Sequence, residues 1–276
     1  MQSPKVKLAV QNVQKTFRIR GVENQPGSLL RVLGGVSFDV YENEIVSLIG
    51  ESGCGKTTLL RIVQGLIRHD AGTIRVEGQA VTAPGRDRGF VFQQAGLLPW
   101  RTARQNVEFG LEMANVPREQ RRAKALGLLE LVGLSHATEL YPHELSGGMQ
   151  QRVNLARALA IDPEILLMDE PFSALDAQTR EVLQQELLRI QAETTKTLLF
   201  VTHDLDEAIY LSNRVVVLAA KPGRVKKVID IPFGRNRPDL PELRTNPEFQ
   251  RIRAEMWELI RNTSAAAATT TTGAAA

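Results

Sequence analysis

Gly50-Glu51-Ser52-Gly53-Cys54-Gly55-Lys56-Thr57 follows an apolar run, Glu44 to Ile49, and precedes Leu59, Ile62, Val63 and Leu66, which recur at helical spacing. A buried strand, a glycine-rich turn and a helix in that order constrain the fold more than any other part of the chain. The glycines let the backbone curl until several N–H groups converge on one phosphate. The helix start adds partial positive charge at the same place. Lys56 then reaches the β- and γ-phosphates of a nucleotide, and the Thr57 hydroxyl is placed for Mg2+. Cys54 has two readings: a redox-active thiol near a helix start, or a small side chain that fits the turn.

Ile165-Leu166-Leu167-Met168-Asp169-Glu170 is an apolar strand that ends in two acids. Adjacent carboxylates at the end of a buried strand cost solvation free energy unless they are used. With a nucleotide bound, Asp169 suits Mg2+, directly or through water. Glu170 suits the orientation or deprotonation of an attacking water. Strands often end in Asp or Glu, so this pair gains its meaning from the phosphate-cradling turn upstream.

Elsewhere strands alternate with helices, which predicts an α/β fold on a mostly parallel sheet. Strand patterns cover Val6 to Val10, Val36 to Val40, Thr73 to Glu77, Gly89 to Phe92 and Thr197 to Thr202, with a hairpin of Arg214 to Ala219 and Arg224 to Asp230 around Pro222-Gly223. Helical patterns cover Arg118 to Leu131, with Leu126, Leu129 and Val132 inward, Met149 to Ala160, a stretch marked by Val182, Leu183, Leu187 and Ile190, and Asp206 to Leu211. The early strands predict a flanking antiparallel layer. The helical stretch of about 95–155 interrupts the alternation as an inserted subdomain. These readings divide the chain into a nucleotide-binding domain over 1–232, a C-terminal helical extension over 233–262 and a tail over 263–276. The tail holds only Thr, Ser, Ala and Gly, has nothing to bury, and is expected to be disordered.

Leu145-Ser146-Gly147-Gly148-Met149-Gln150-Gln151-Arg152 is a second anion-binding helix start: Ser146 as cap, two glycines, then helix. One chain has no need of two such sites. Two chains facing head to tail do, since each can close over the other's ATP. On these motifs the chain resembles the ABC ATPase family from Val6 to about Asp230. The resemblance implies a P-loop NTPase (RecA-like) parallel-sheet core, an antiparallel β subdomain and an inserted α-helical subdomain. It implies that Gly50, Ser52, Gly53, Cys54, Gly55, Lys56, Thr57 and Thr58 bind the ATP phosphates, and that Thr57, Gln93 and Asp169 meet Mg2+. Glu170, Gln93 and His203 then serve the hydrolytic step, His203 as the switch on the γ-phosphate and Gln93 as the Q-loop glutamine, with Gln94 next to it. Ser146, Gly147 and Gly148 match the signature loop that contacts ATP held by the partner subunit. Asp176, in Ser173-Ala174-Leu175-Asp176, matches the D-loop of the subunit interface. Phe17 falls where the family stacks an aromatic on adenine, although from the residues alone it suits a core position equally well. Met149 stands where many members have Gln.

Gly96-Leu97-Leu98-Pro99-Trp100-Arg101-Thr102, then Asn106 to Leu111, and later Arg244 to Arg261, are similar to the ATPases of nitrate, sulfonate and taurine importers, with their bicarbonate and cyanate relatives. In that group the helical region receives a coupling helix from a membrane permease, which implies docking near Leu97 to Trp100. Those residues also read as packing for the subdomain itself, yet an exposed apolar cleft is the usual sign of a docking site. The resemblance thus implies a permease, a second ATPase subunit (identical or paralogous) and, indirectly, an external solute-binding protein. ATP and Mg2+ are the implied cofactors. The implied place of work is the cytoplasmic face of the bacterial inner membrane, as a peripheral subunit.

Charge and cysteine usage bound the alternatives. A net charge of +3, from 34 basic and 31 acidic residues of mixed order, is too weak to argue for nucleic acid. The single cysteine rules out an intrachain disulfide and fits a reducing compartment. No apolar core of a signal peptide is legible after Met1-Gln2-Ser3-Pro4-Lys5, and no apolar run approaches the roughly 20 residues that span a bilayer. Membrane work would therefore require docking. No heptad run or second module points to an ABC protein acting on DNA or ribosomes. Glu170 and His203 argue against a purely regulatory ATP-binding scaffold, and the Leu-Pro-Trp segment argues against an exporter.

Overall fold

The computed structural model describes residues 4–18, 29–234 and 237–269, with side chains through 261. In chain order the first elements are β1 (Val6–Arg18), β2 (Leu29–Tyr41), β3 (Ile45–Gly50), α1 (Lys56–Val63), β4 (Ala71–Val76), β5 (Gln79–Ala80) and β6 (Arg88–Val91). Then come α2 (Ala103–Met113), α3 (Arg118–Leu131), α4 (Gly147–Ala160), β7 (Ile165–Asp169), α5 (Ala177–Thr194) and β8 (Thr197–Val201). The chain continues with α6 (Leu205–Leu211), β9 (Arg214–Ala219), β10 (Arg224–Asp230), α7 (Leu240–Leu243) and α8 (Pro247–Thr269). These elements pack as two compact units, one from the described residues of 1–84 and 200–276, the other from 85–199. β8 carries the chain from the second unit back into the first.

In the first unit β3 is buried at all six positions. A strand covered on both faces reads as a continuous apolar run, which is how the sequence announces it. β3 pairs in parallel with β9, from Val46 opposite Arg214 to Gly50 opposite Leu218. β9 and β10 form the expected hairpin. A separate antiparallel sheet, in the order β2-β1-β4-β5, is the flanking layer. Leu8, Val10 and Val13 of β1 turn inward there. α1 buries Leu59, Leu60, Ile62 and Val63, each contributing ~1.5–3 kcal/mol. Leu66, expected on the same face, is 58% exposed, because α1 has already ended at Val63.

α7 and α8 close on α6, and α8 also on β9, by burying Leu240, Leu243, Phe249, Ile252 and Met256. The helical extension expected after residue 232 is therefore packed onto this unit. α8 also continues past Asn262, where disorder is expected, as far as Thr269. The alanines at 265–268 are strong helix formers and carry the backbone helix on. Residues 270–276 of the expected tail lie outside the described residues.

In the second unit β6 and β7 are parallel, from Arg88 opposite Ile165 to Val91 opposite Met168. α2, α3 and α4 pack on one another. α2 was not legible from its apolar pattern; its start is fixed by a capping box in which Thr102 and Gln105 satisfy each other's backbone N–H. α3 buries Ala125 and Leu129, while Leu126, expected inward, is 37% exposed. One residue is about 100° of helix, so Leu126 falls beside the Ala125–Leu129 stripe rather than on it. α5 likewise buries Leu183, Leu187 and Ile190 and leaves Val182 exposed.

Candidate functional site

The glycine-rich turn belongs to the first unit. Gly50, Gly53 and Gly55 have φ of 155°, 80° and 96°, a region that residues with a Cβ enter at a cost. At Gly55 a Cβ would also lie 2.6 Å from Leu33 Cδ2. The turn closes so tightly that Cys54 is fully buried, and burial pushes its thiol pKa up despite the neighbouring Lys56. The small-residue reading of Cys54 fits this surrounding; a reactive thiol needs exposure and a lowered pKa. Lys56 lies across the loop and donates to the carbonyls of Gly50 (2.7 Å) and Glu51 (3.2 Å). α1 starts after Gly55, which has no side chain to cap it. Ser52 and Gly53 are exposed and Thr57 and Thr58 half-buried.

Two further predicted residues sit in this unit. Phe17 is half-buried near the end of β1, with Lys15 Nζ 5.2 Å from its ring centroid. It is not part of the core. His203 is exposed between β8 and α6. Its neighbours are tied down: Thr202 Oγ1 bonds the Glu207 carboxylate and accepts from Asp204 N–H. Asp204 caps α6 by accepting from the N–H groups of Asp206 (2.9 Å) and Glu207 (3.1 Å).

The second unit holds the remaining candidates. Asp169 ends β7 half-buried, and Glu170 follows at φ 45°. A non-glycine residue in that left-handed region costs on the order of 1 kcal/mol. Gln93 donates to Ser173 Oγ at 3.1 Å, and Ser173 Oγ donates to the Glu170 carbonyl at 2.9 Å. Of the two adjacent glutamines, Gln93 therefore has this link, and both line a cavity of about 400 Å3 with Leu97, Gln150, Ala174 and Leu175.

Ser146 caps α4 by accepting from Met149 N–H at 3.3 Å, and it is exposed with Gly147. Gly148 is buried, with Thr179 so near that a Cβ would come within 2.6 Å of its Cγ2. Asp176 caps α5 by accepting from Thr179, which holds its carboxyl below the usual range. Gln151, Asn154 and Arg157 were not singled out by sequence reasoning. They recur every third residue on α4 and grip the Q-loop backbone: Gln151 and Asn154 at the Phe92 carbonyl (3.0 and 3.1 Å), Arg157 at those of Ala95 (2.7 Å) and Gly96 (2.9 Å). Polar residues at that spacing on a buried face were the signal.

The Leu97 to Trp100 segment is organised by a fully buried Asn106. Its Oδ1 accepts from Leu98 N–H (2.7 Å), and its Nδ2 donates to the carbonyls of Leu98, Arg101 and Thr102. Leu97 and Leu98 are half-buried, so they do pack the subdomain, whereas Trp100 is 71% exposed.

A glycine-rich turn with its lysine, a strand that ends at Asp169 before Glu170 and a serine-capped glycine helix start are the parts expected of a nucleotide-hydrolysing cassette. The ABC transporter family model matches residues 33–173. An uncharacterized ABC transporter ATP-binding protein of Methanocaldococcus jannaschii is 49% identical, over 94% of this chain and 92% of that one. The taurine import ATP-binding protein TauB of Rhizobium johnstonii is 45% identical, over 86% and 92%. The nitrate import ATP-binding protein NrtC of Synechococcus elongatus is 44% identical, over 94% of this chain and 39% of its own length. Among solved structures, a dimeric ATP-binding cassette in a post-hydrolysis state with ADP and Pi matches with TM-score 0.68 and 35% identity, over 81% of this chain and 98% of that one. The chain belongs to the ABC transporter family. It is an ATP-binding and ATP-hydrolysing cassette with the P-loop NTPase fold.

Proposed function

We propose that this chain powers the uptake of a small anion, of the nitrate, sulfonate, taurine or bicarbonate type, through a partner membrane permease. Relatives named for taurine and nitrate import support the direction and solute class. Among the described residues no helix is long and apolar enough to cross a membrane; in this reading the permease supplies the path, and this chain docks on it as a peripheral subunit at the cytoplasmic face. An external binding protein delivers the solute. Trp100, exposed on a loop that Asn106 fixes, is the anchor for the permease helix.

The observation that carries the motor reading is the presence of two separate helix starts led in by glycine or serine, at Lys56 and at Ser146, each suited to an anion. In a head-to-tail pair of these subunits, identical or paralogous, the loop from Gly50 to Thr58 holds one ATP and the neighbour's Ser146, Gly147 and Gly148 close over its γ-phosphate. Phe17 stacks on the adenine, and Asp176 lies at the subunit boundary. Among the described residues no cluster of three or more His, Cys, Asp or Glu could hold a metal alone. Thr57, Gln93 and Asp169 would hold Mg2+, an oxygen-seeking ion that takes most of its ligands from phosphates and water. The ion would supply neutralisation of charge on the phosphates. Glu170 takes up the proton of the attacking water, Gln93 orients that water, and His203 donates to the γ-phosphate.

Purification of the chain with its membrane partner, followed by ATPase assay in proteoliposomes, tests this. Copurification of one polytopic permease, ATPase activity stimulated by solute-loaded binding protein, and loss of the permease with Trp100→Ala are expected. A chain that hydrolyses ATP but binds no permease contradicts the importer reading.

A further inference from the structure

α6 has seven residues, and a helix that short takes its orientation from what holds it. Its first residue follows His203 by two positions, so any tilt of α6 is felt at that histidine. Both ends of α6 are gripped by arginines from the C-terminal extension. At the first turn, Arg244 Nε donates to Asp206 Oδ2 at 2.8 Å and Arg253 Nε to Asp206 Oδ1 at 2.7 Å. Each carboxylate oxygen thus has its own guanidinium, one from beyond α7 and one from α8. At the last turn, Arg237 donates to the carbonyls of Ile209 (3.3 Å), Tyr210 and Ser212 (3.2 Å). A cation there satisfies the helix's unpaired carbonyls and meets the negative end of its dipole. Arg237 is itself pinned by the Gly234 carbonyl, at 2.9 Å from Nε and 2.7 Å from Nη2. Its burial pushes its pKa down to about 10, which leaves it charged at neutral pH.

We infer that the C-terminal extension is a positioning element for ATP hydrolysis, in which Arg237, Arg244 and Arg253 clamp α6 at both ends and so fix the turn that presents His203. The inference rests on the reading of His203 as the γ-phosphate partner. The three arginines are positioning residues: they act through α6.

Steady-state ATPase kinetics of the full chain, with thermal melts on the same samples, tests it. Arg244→Ala/Arg253→Ala, and separately Asp206→Asn, lose kcat by about tenfold with KM for ATP within about twofold, the signature of a displaced group that acts after binding. Combining all three changes adds little to either loss, because they break one linkage. Arg244→Lys/Arg253→Lys restores most of the rate. His203→Ala is the control and loses kcat further still. Parental kcat in the alanine pair, with His203→Ala inactive, overturns the inference and leaves the histidine's role intact. A rise in KM at constant kcat overturns it too, as does a loss of rate that follows the unfolded fraction and is not rescued by lysine. A His203→Ala chain as active as the parent instead removes the histidine reading, and the inference with it.

Discussion

Gln93 Nε2 and Ser173 Oγ lie 3.1 Å apart, and the same hydroxyl donates onward to the carbonyl of Glu170 at 2.9 Å. One serine therefore joins the Q-loop to the left-handed turn at Glu170, whose strain has to be held by its surroundings. Ser173→Ala breaks both bonds at once. Its kcat for ATP is expected to fall about tenfold, as the roles proposed for Gln93 and Glu170 at the attacking water require. Steady-state kinetics of the pure chain decides this, and an unchanged kcat would show that the serine is dispensable.

Cys54 is expected to be inert in the folded chain. Burial favours the neutral thiol, so the folded pKa lies above the ordinary value of 9.0. The stabilising effect of the neutral thiol is complete below 9.0 and is lost as pH rises through the higher folded value. At pH 8, maleimide labelling should be at least about tenfold slower in native chain than in denaturant. Labelling of native chain at the rate of a free cysteine would reopen the redox role.

Asn106→Ala takes the Asn106 side-chain bond from the Leu98 N–H and the Arg101 carbonyl, while the carbonyls of Leu98 and Thr102 keep the backbone N–H groups of Arg101 and Asn106. A buried polar group left unpaired costs about 1–3 kcal/mol, so a total loss of about 2–4 kcal/mol is expected. Chemical denaturation measures it. The Trp100 loop should also become protease-sensitive in the folded chain, and a variant as stable and as resistant as the parent would refute the organising role.

The strand, turn and helix around Lys56 were legible because each part has a local physical reason, from the apolar run to the glycines. So were β7 with its acids and the Ser146 cap. Leu66 and Leu126 were misplaced for one reason: periodicity gives the angle around a helix but neither its last residue nor the width of its buried stripe. Gln151, Asn154 and Arg157 escaped notice because polar residues on a helix normally face water, and their carbonyl partners are about 60 residues away. The arginine clamp on α6 was illegible on the same ground, since Asp206 meets partners 38 and 47 residues downstream. Alanines at 265–268 read as low complexity, yet their helix propensity carries α8 through them.

Two chains closing head to tail over ATP is the central claim, and the mass of the Glu170→Gln chain in solution tests it most directly. With the carboxylate proposed to activate water gone, Mg·ATP should be bound and not turned over, so light scattering should show the single-chain mass without nucleotide and twice that mass with it. Adding Lys56→Ala to the same chain should abolish the shift by removing the phosphate grip. A Glu170→Gln chain that keeps the single-chain mass at saturating Mg·ATP, or that hydrolyses ATP at the parental rate, would contradict the closed-pair motor.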